Sequence, residues 1–155
     1  PGFDDHGYRF TTLALFDLHG RVVGRENYRF EREADLATVD LGLGLGPMSD
    51  EQVLDHIEIC QGGRWYHWSS SKLPVARQEI QHNSANMHLI PKDEAVADVL
   101  DDVRSGHVVH LRGYLVEVRA PDGWRWRSSL SRKDSGAHAC ELVFVDRLSI
   151  VEVRR

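Results

Sequence analysis

The 155-residue chain predicts a single β-rich α+β domain, a curved antiparallel barrel or half-barrel with two packed helices. Three observations carry that prediction. The last third, RSGHVVHLRGYLVEVRAPDGWRWRSSLSRKDSGAHACELVFVDRLSIVEV, is a succession of apolar segments punctuated by turn residues. Gly113 stands in the middle of the longest of them, where a strand that bends around a small barrel needs a glycine. Only two segments carry helix start and stop signals, and two domains cut from so short a chain would each be marginal. The expected organisation is one domain over 1–155. Strands and a short helix occupy 1–68, a polar loop 69–91, and a helix with the barrel strands 92–155.

Residues 8 to 16, YRFTTLALF, and 18 to 30, LHGRVVGRENYRF, predict two strands joined tightly around Asp17 to Gly20. Tyr8, Phe10, Thr12, Ala14 and Phe16 would share one face, with Leu13 and Leu15 on the other. The stretch Glu31 to Gly46 ends in LGLGLG. No Lys-Ser or Lys-Thr follows and Pro47 removes an amide, so this is an extended, leucine-packing segment rather than a phosphate loop. Ser49 with Gln52, and Met48 with Val53, predict the N-terminus of a short helix that buries Val53, Leu54 and Ile57. IEIC (57–60) and RWYHW (64–68) predict strands flanking a Gln61-Gly62-Gly63 turn.

Ser69 to Asn86 predicts a long polar loop with a short strand inside it. Pro91 then opens the second helix, Asp93 and Glu94 suit its positive end, and Gly106 closes it. Ala95, Val96, Val99, Leu100 and Val103 share its apolar side. His107 to Arg119 is apolar on both faces, Pro121-Asp122-Gly123 supplies a turn, residues 124 to 131 return antiparallel, and 141 to 153 complete the sheet.

Hydrophobic residues make up 41% and charged residues 28%, ordinary proportions for a globular protein. No apolar run approaches the roughly 20 residues of a membrane span. The net charge of -5 is unevenly placed: residues 1–60 hold 12 acids against 5 arginines, and the rest 12 acids against 14 lysines and arginines. General nucleic-acid binding, which draws on counterion release, is disfavoured by that balance.

Residues 95 to 153, a helix feeding a glycine-bent strand, a hairpin and a strand ending in Cys140-Glu141-Leu142-Val143, resemble the second half of OB-type barrels of small bacterial envelope proteins. The fold expected is therefore an OB-like barrel or half-barrel. Separately, SANMHLIP, RGYLVEV and GWRWRSSLSRKDSG with Cys140-Glu141 resemble an uncharacterised bacterial family with no established activity, so no catalytic residues are carried over. That resemblance implies a bacterial protein, membrane-tethered through whatever precedes Pro1, with this domain on the periplasmic side; the alternative setting is the cytoplasm.

Nine histidines raise the question of a metal. His107 and His110, three apart on a strand, point to opposite faces. His82 and His88 are separated by loop-forming residues, and His138 with Cys140 lacks two further ligands. The expectation is no metal and no cofactor. Cys60 and Cys140 are read as two buried thiols, with a long-range disulfide, worth about 4 kcal/mol in an oxidising compartment, as the alternative. A nucleophile reading would use Cys140 with His88 or His138, oriented by Asp134 or Glu141. Ser128, Ser129 and Ser131 lack a nucleophile-elbow sequence.

Tryptophan and arginine give the stronger hint. Trp124 and Trp126 project to one side of their strand and Arg125 and Arg127 to the other, with Arg112, Arg119, Arg132 and Lys133 nearby. Arg64, Tyr66 and Trp68 repeat the alternation opposite Trp65 and His67, so the two aromatic strands are expected to meet across one sheet. The leading functional expectation is a non-enzymatic binding module of the bacterial envelope. It would engage a protein, glycan or anionic group through Arg64, Tyr66, Trp68, Trp124, Arg125, Trp126 and Arg127. The alternatives are a small Cys/His-dependent hydrolase or transferase, and a structural part of an envelope assembly that docks its acidic first part on a basic neighbour.

Overall fold

One long strand organises the molecule. In the computed structural model, which describes residues 1–130 and 140–152, β1 (Gly2–Asp5) turns back onto β2 (Tyr8–Asn27), which runs unbroken for 20 residues. The tight turn expected at Asp17 to Gly20 is absent: those four residues pair with Arg112, Leu111, His110 and Val109 of β7 (Val108–Arg119). A long partner strand and the burial of Leu18 at 5% exposure override the local turn composition. A bulge at Leu13 brings that residue inward with Phe16, whereas Leu15 is 81% exposed.

β3 (Val39–Gly44) takes in the first four residues of the LGLGLG segment and is buried throughout. It pairs with β2 on one side and with β6 (Ser84–Pro91) on the other, both antiparallel. β6 runs parallel to β9 (Glu141–Glu152), β9 antiparallel to β7, and β7 antiparallel to β2. These five strands form a hydrogen-bonded ring. In chain order the ring runs first, second, third, fifth, fourth and back to the first, with a helix between the third and fourth, which is the OB arrangement. The parallel β6–β9 pair corrects the all-antiparallel expectation, because the last strand returns between the third and fourth.

Alternate residues of the ring strands feed two adjoining cores, which explains why these strands are apolar on both sides. Leu89 and Val143 join Leu18, Leu41 and Leu111 in one. Ile90 and Leu142 join Phe10, Val116 and Val118 in the other, against which Phe3, Trp124 and Trp126 pack. α3 (Glu94–Asp102) caps the first core with Val96, Leu100 and, just past its end, Val103. Its N-cap is Asp93, whose carboxylate accepts from the Val96 amide at 2.9 Å; Pro91 ends β6 instead of opening the helix, and Ala95 is exposed.

Among the described residues there are three α-helices, one more than expected. α1 (Glu51–Leu54) is capped by Asp50, while Ser49 ends a preceding 3₁₀ turn (Gly46–Ser49) and donates its hydroxyl to the Gly46 carbonyl. α2 (Arg77–His82) occupies the polar stretch where a short strand was expected, burying Ile80 completely. The expected loop over 69–91 ends early, because β6 is a core strand. β4 (Glu58–Gly62) and β5 (Trp65–Ser69) form a separate two-stranded sheet. β8 (Arg125–Arg127) extends the large sheet outward from β7. No helix among the described residues is long and apolar enough to cross a membrane.

Candidate functional site

The β4–β5 hairpin turns on Gly63 and Arg64, not on Gln61 to Gly63. Both residues are left-handed, at φ 55 and 68, as a two-residue turn matching strand twist requires. Arginine in that conformation carries a strain of about 1 kcal/mol, and its guanidinium shows what holds it. Nη1 donates to Asp40 Oδ1 at 2.6 Å and Nη2 to the Ala37 carbonyl at 2.6 Å, while Nε donates to the Glu31 carboxylate. The Tyr28 ring lies 3.9 Å from the guanidinium carbon and the Trp126 ring 5.6 Å. Asp40, fully buried, also accepts from Asn86 Nδ2 at 3.0 Å and lies 2.9 Å from His88 Nδ1.

Arg64 is therefore a buried clamp that fixes the hairpin against β3 and the segment leading into it, with a side chain only 10% exposed. It was expected on a ligand-binding face. Tyr66 lies inward beside Gly42, and burial pushes its phenol up to about 12. Trp68 is half-buried, with the Arg77 guanidinium 5.0 Å from its ring centroid. The two aromatic strands do not share a sheet. Of the expected binding residues on them, the structure brings Arg64 to Trp126 through the hairpin turn. The turn lies between two different sheets, an arrangement no local sequence signal announces.

The expected alternation on β8 holds. Phe10 of β2, Val118 of β7 and Trp126 of β8 stand opposite one another and point into the second core. Trp124 packs there too, 6.1 Å from Trp126 and edge-on to Tyr8, with the Arg32 guanidinium 4.9 Å away. One residue along each strand, Arg9, Arg119 and Arg125 stand opposite one another on the outer face. Their side chains are 56%, 59% and 53% exposed. Arg127 lies next to the row, opposite Glu117.

Like charges directly opposite across strands are destabilising. Two carboxylates offset them: Asp4 lies 3.4 Å from Arg9 Nη1, and Glu117, with its side chain 6% exposed, contacts Arg119, Arg125 and Arg127. Four guanidiniums against two carboxylates leave the face positive in a chain of net charge -5. Arg9 and Glu117 were missed in the sequence because their membership depends on which distant strands pair.

Cys60 is exposed and Cys140 half-buried, and both are free, so the expectation of two buried thiols holds for neither in full. Burial first, then the neighbouring Glu141 charge, pushes the Cys140 thiol up to about 11. Its Sγ donates to the Arg64 carbonyl at 3.8 Å, and His88 is engaged by Asp40. A raised thiol is a poor nucleophile at neutral pH. His138, Asp134, Ser131, Arg132 and Lys133 lie outside the described residues. Titration with a maleimide at neutral pH should show one fast thiol, Cys60, and one slow thiol that accelerates only as pH rises toward 11.

The same burial makes the fold alkali-sensitive. Cys140 and Tyr66 ionise at higher pH folded than unfolded, so the unfolded chain holds fewer protons and stability falls as pH rises, from about 9 through 12. Melting followed over that range should decline less steeply in Tyr66→Phe.

No family model matches the chain, and no solved structure matches it. Among curated proteins, neutral alpha-glucosidase AB of Mus musculus is 32% identical over 127 residues, covering 77% of this chain and 13% of that protein. The chain thus corresponds to a small segment of the relative's length.

Proposed function

We propose that the domain is a non-enzymatic binding module that takes up an extended anionic segment, of a protein or a glycan, on the outer face of β2, β7 and β8. The observation that carries the reading is the arginine row Arg9, Arg119 and Arg125, with Arg127 beside it. Neighbouring strands are about 4.8 Å apart, so three guanidiniums line up over about 10 Å. That spacing suits successive carboxylates or sulfates on a linear ligand. Guanidinium forks recognise such groups bidentately, and a like-charged row that weakens the sheet is understandable where a ligand neutralises it. β8 also lies in the loop between the fourth and fifth ring strands, a region that OB folds use for ligands. The likeness to a segment of an alpha-glucosidase favours a carbohydrate chain as one carrier of the charge. The bacterial-envelope setting belongs to the same proposal.

The test is titration of the chain with a polyglutamate peptide and with a sulfated oligosaccharide. Binding that weakens with salt and falls at least about tenfold in the Arg9→Gln, Arg119→Gln double variant, which leaves Arg125 and Arg127 on Glu117, is the expected result. Glu117→Gln, which removes the internal competitor, should tighten it. Equal affinity in wild type and double variant would defeat the reading.

A further inference from the structure

We infer a divalent transition-metal site on the opposite stretch of the same strand pair, formed by Asp17, His19 and His110. Asp17 and His19 are two apart on β2 and so share its outer face. His110 stands directly opposite His19 on β7. One ligand atom from each of the three lies within 4.8 Å of the others. The imidazoles are stacked, with centroids 3.9 Å apart and planes at 13°, and His110 Nε2 is 2.7 Å from Asp17 Oδ1.

Two imidazoles and a carboxylate are a ligand set suited to zinc and its neighbours. Tetrahedral bonds of about 2.0–2.1 Å put ligand atoms about 3.3 Å apart. To bind one ion the two stacked rings must tilt apart so that their in-plane lone pairs converge, by rotation of the side chains on a backbone fixed by the β2–β7 ladder. Binding replaces a proton shared by His110 and Asp17 with the metal. Arg112, whose Nε lies 3.3 Å from Asp17 Oδ2, holds the carboxylate from its far side, an orienting contact of the kind that supports metal ligands. His110 also lines a groove of about 550 Å³ between α3 and strands β7 and β9. Three protein ligands leave a fourth position, and the groove gives a water or an anionic ligand room beside it.

Calorimetric titration of the full chain with zinc chloride, and with cobalt(II) followed by absorption, tests this. One ion per chain at about micromolar affinity is expected. The affinity should fall at least about tenfold in His19→Ala and in His110→Ala. It should persist in Cys60→Ser and His107→Ala. His19 and Cys60 are exposed whereas His107 and His110 are half-buried, and His110→Gln replaces the alanine variant if that one melts early. Absence of saturable binding, or affinity unchanged in both histidine variants, would overturn the site.

Discussion

Arg64→Ala should lower stability by about 3–5 kcal/mol, the range for removing one partner of a buried charge pair. The loss has three sources. Asp40, with no exposure to water, keeps its carboxylate but loses the guanidinium; Glu31 loses its ion pair; and the Ala37 carbonyl loses a donor. Melting should drop by about 10 °C. Because the residue sits at φ 68, Arg64→Gly should be milder than Arg64→Ala by about 1 kcal/mol, a difference set by the backbone and independent of the ion pairs. Arg64→Lys should recover little, since an ammonium cannot serve Asp40, Glu31 and Ala37 from one planar fork. Denaturant melts of the three variants check the order. A loss under about 1 kcal/mol for the alanine variant would mean that the clamp contributes nothing net.

Gly113→Ala should cost about 3 kcal/mol, at the upper end for overpacking. A Cβ there would run into the carbonyl of Phe144 on β9, and backbone cannot swing aside as a side chain can. The strand register shifts at this point, between Arg112 and Gly113, so the glycine is where β7 bends between its two neighbours. Gly62→Ala is the matched control: it lies in a strand, and an added Cβ meets nothing within 4 Å. A denaturation midpoint lowered by the first substitution and unmoved by the second is expected. Equal midpoints would show that β7 can bend elsewhere.

The second prediction rests on something the sequence discloses, whereas the first does not. A glycine in the middle of an apolar strand announces a bend, and the leucine-glycine alternation of β3, the apolar side of α3 and the outward arginines of β8 are legible for the same reason: each is local. Arg64 is not, because an arginine at left-handed φ is held there by Glu31 and Asp40 from far along the chain. The Asp-Leu-His-Gly stretch misleads in the other direction. It has the composition of a turn, and reading it so separates Asp17 from His19 and conceals that His110 stands opposite. Histidine spacing along one strand could not reveal the cluster, which exists only through the pairing of β2 with β7.

The closure of the ring governs how the chain reaches its native state. The two most distant of the five seams are those in which Arg9 meets Arg119 and Met87 meets Glu141. Neither can form by zipping outward from a tight turn, so each requires a long stretch of chain to be gathered before its pairing offers any return. Local hairpins such as β4–β5 form early by comparison. On this ground the meeting of β2 with β7 is the expected slow event in refolding, during which the flanks of β2 would be open to pairing with another copy of the chain.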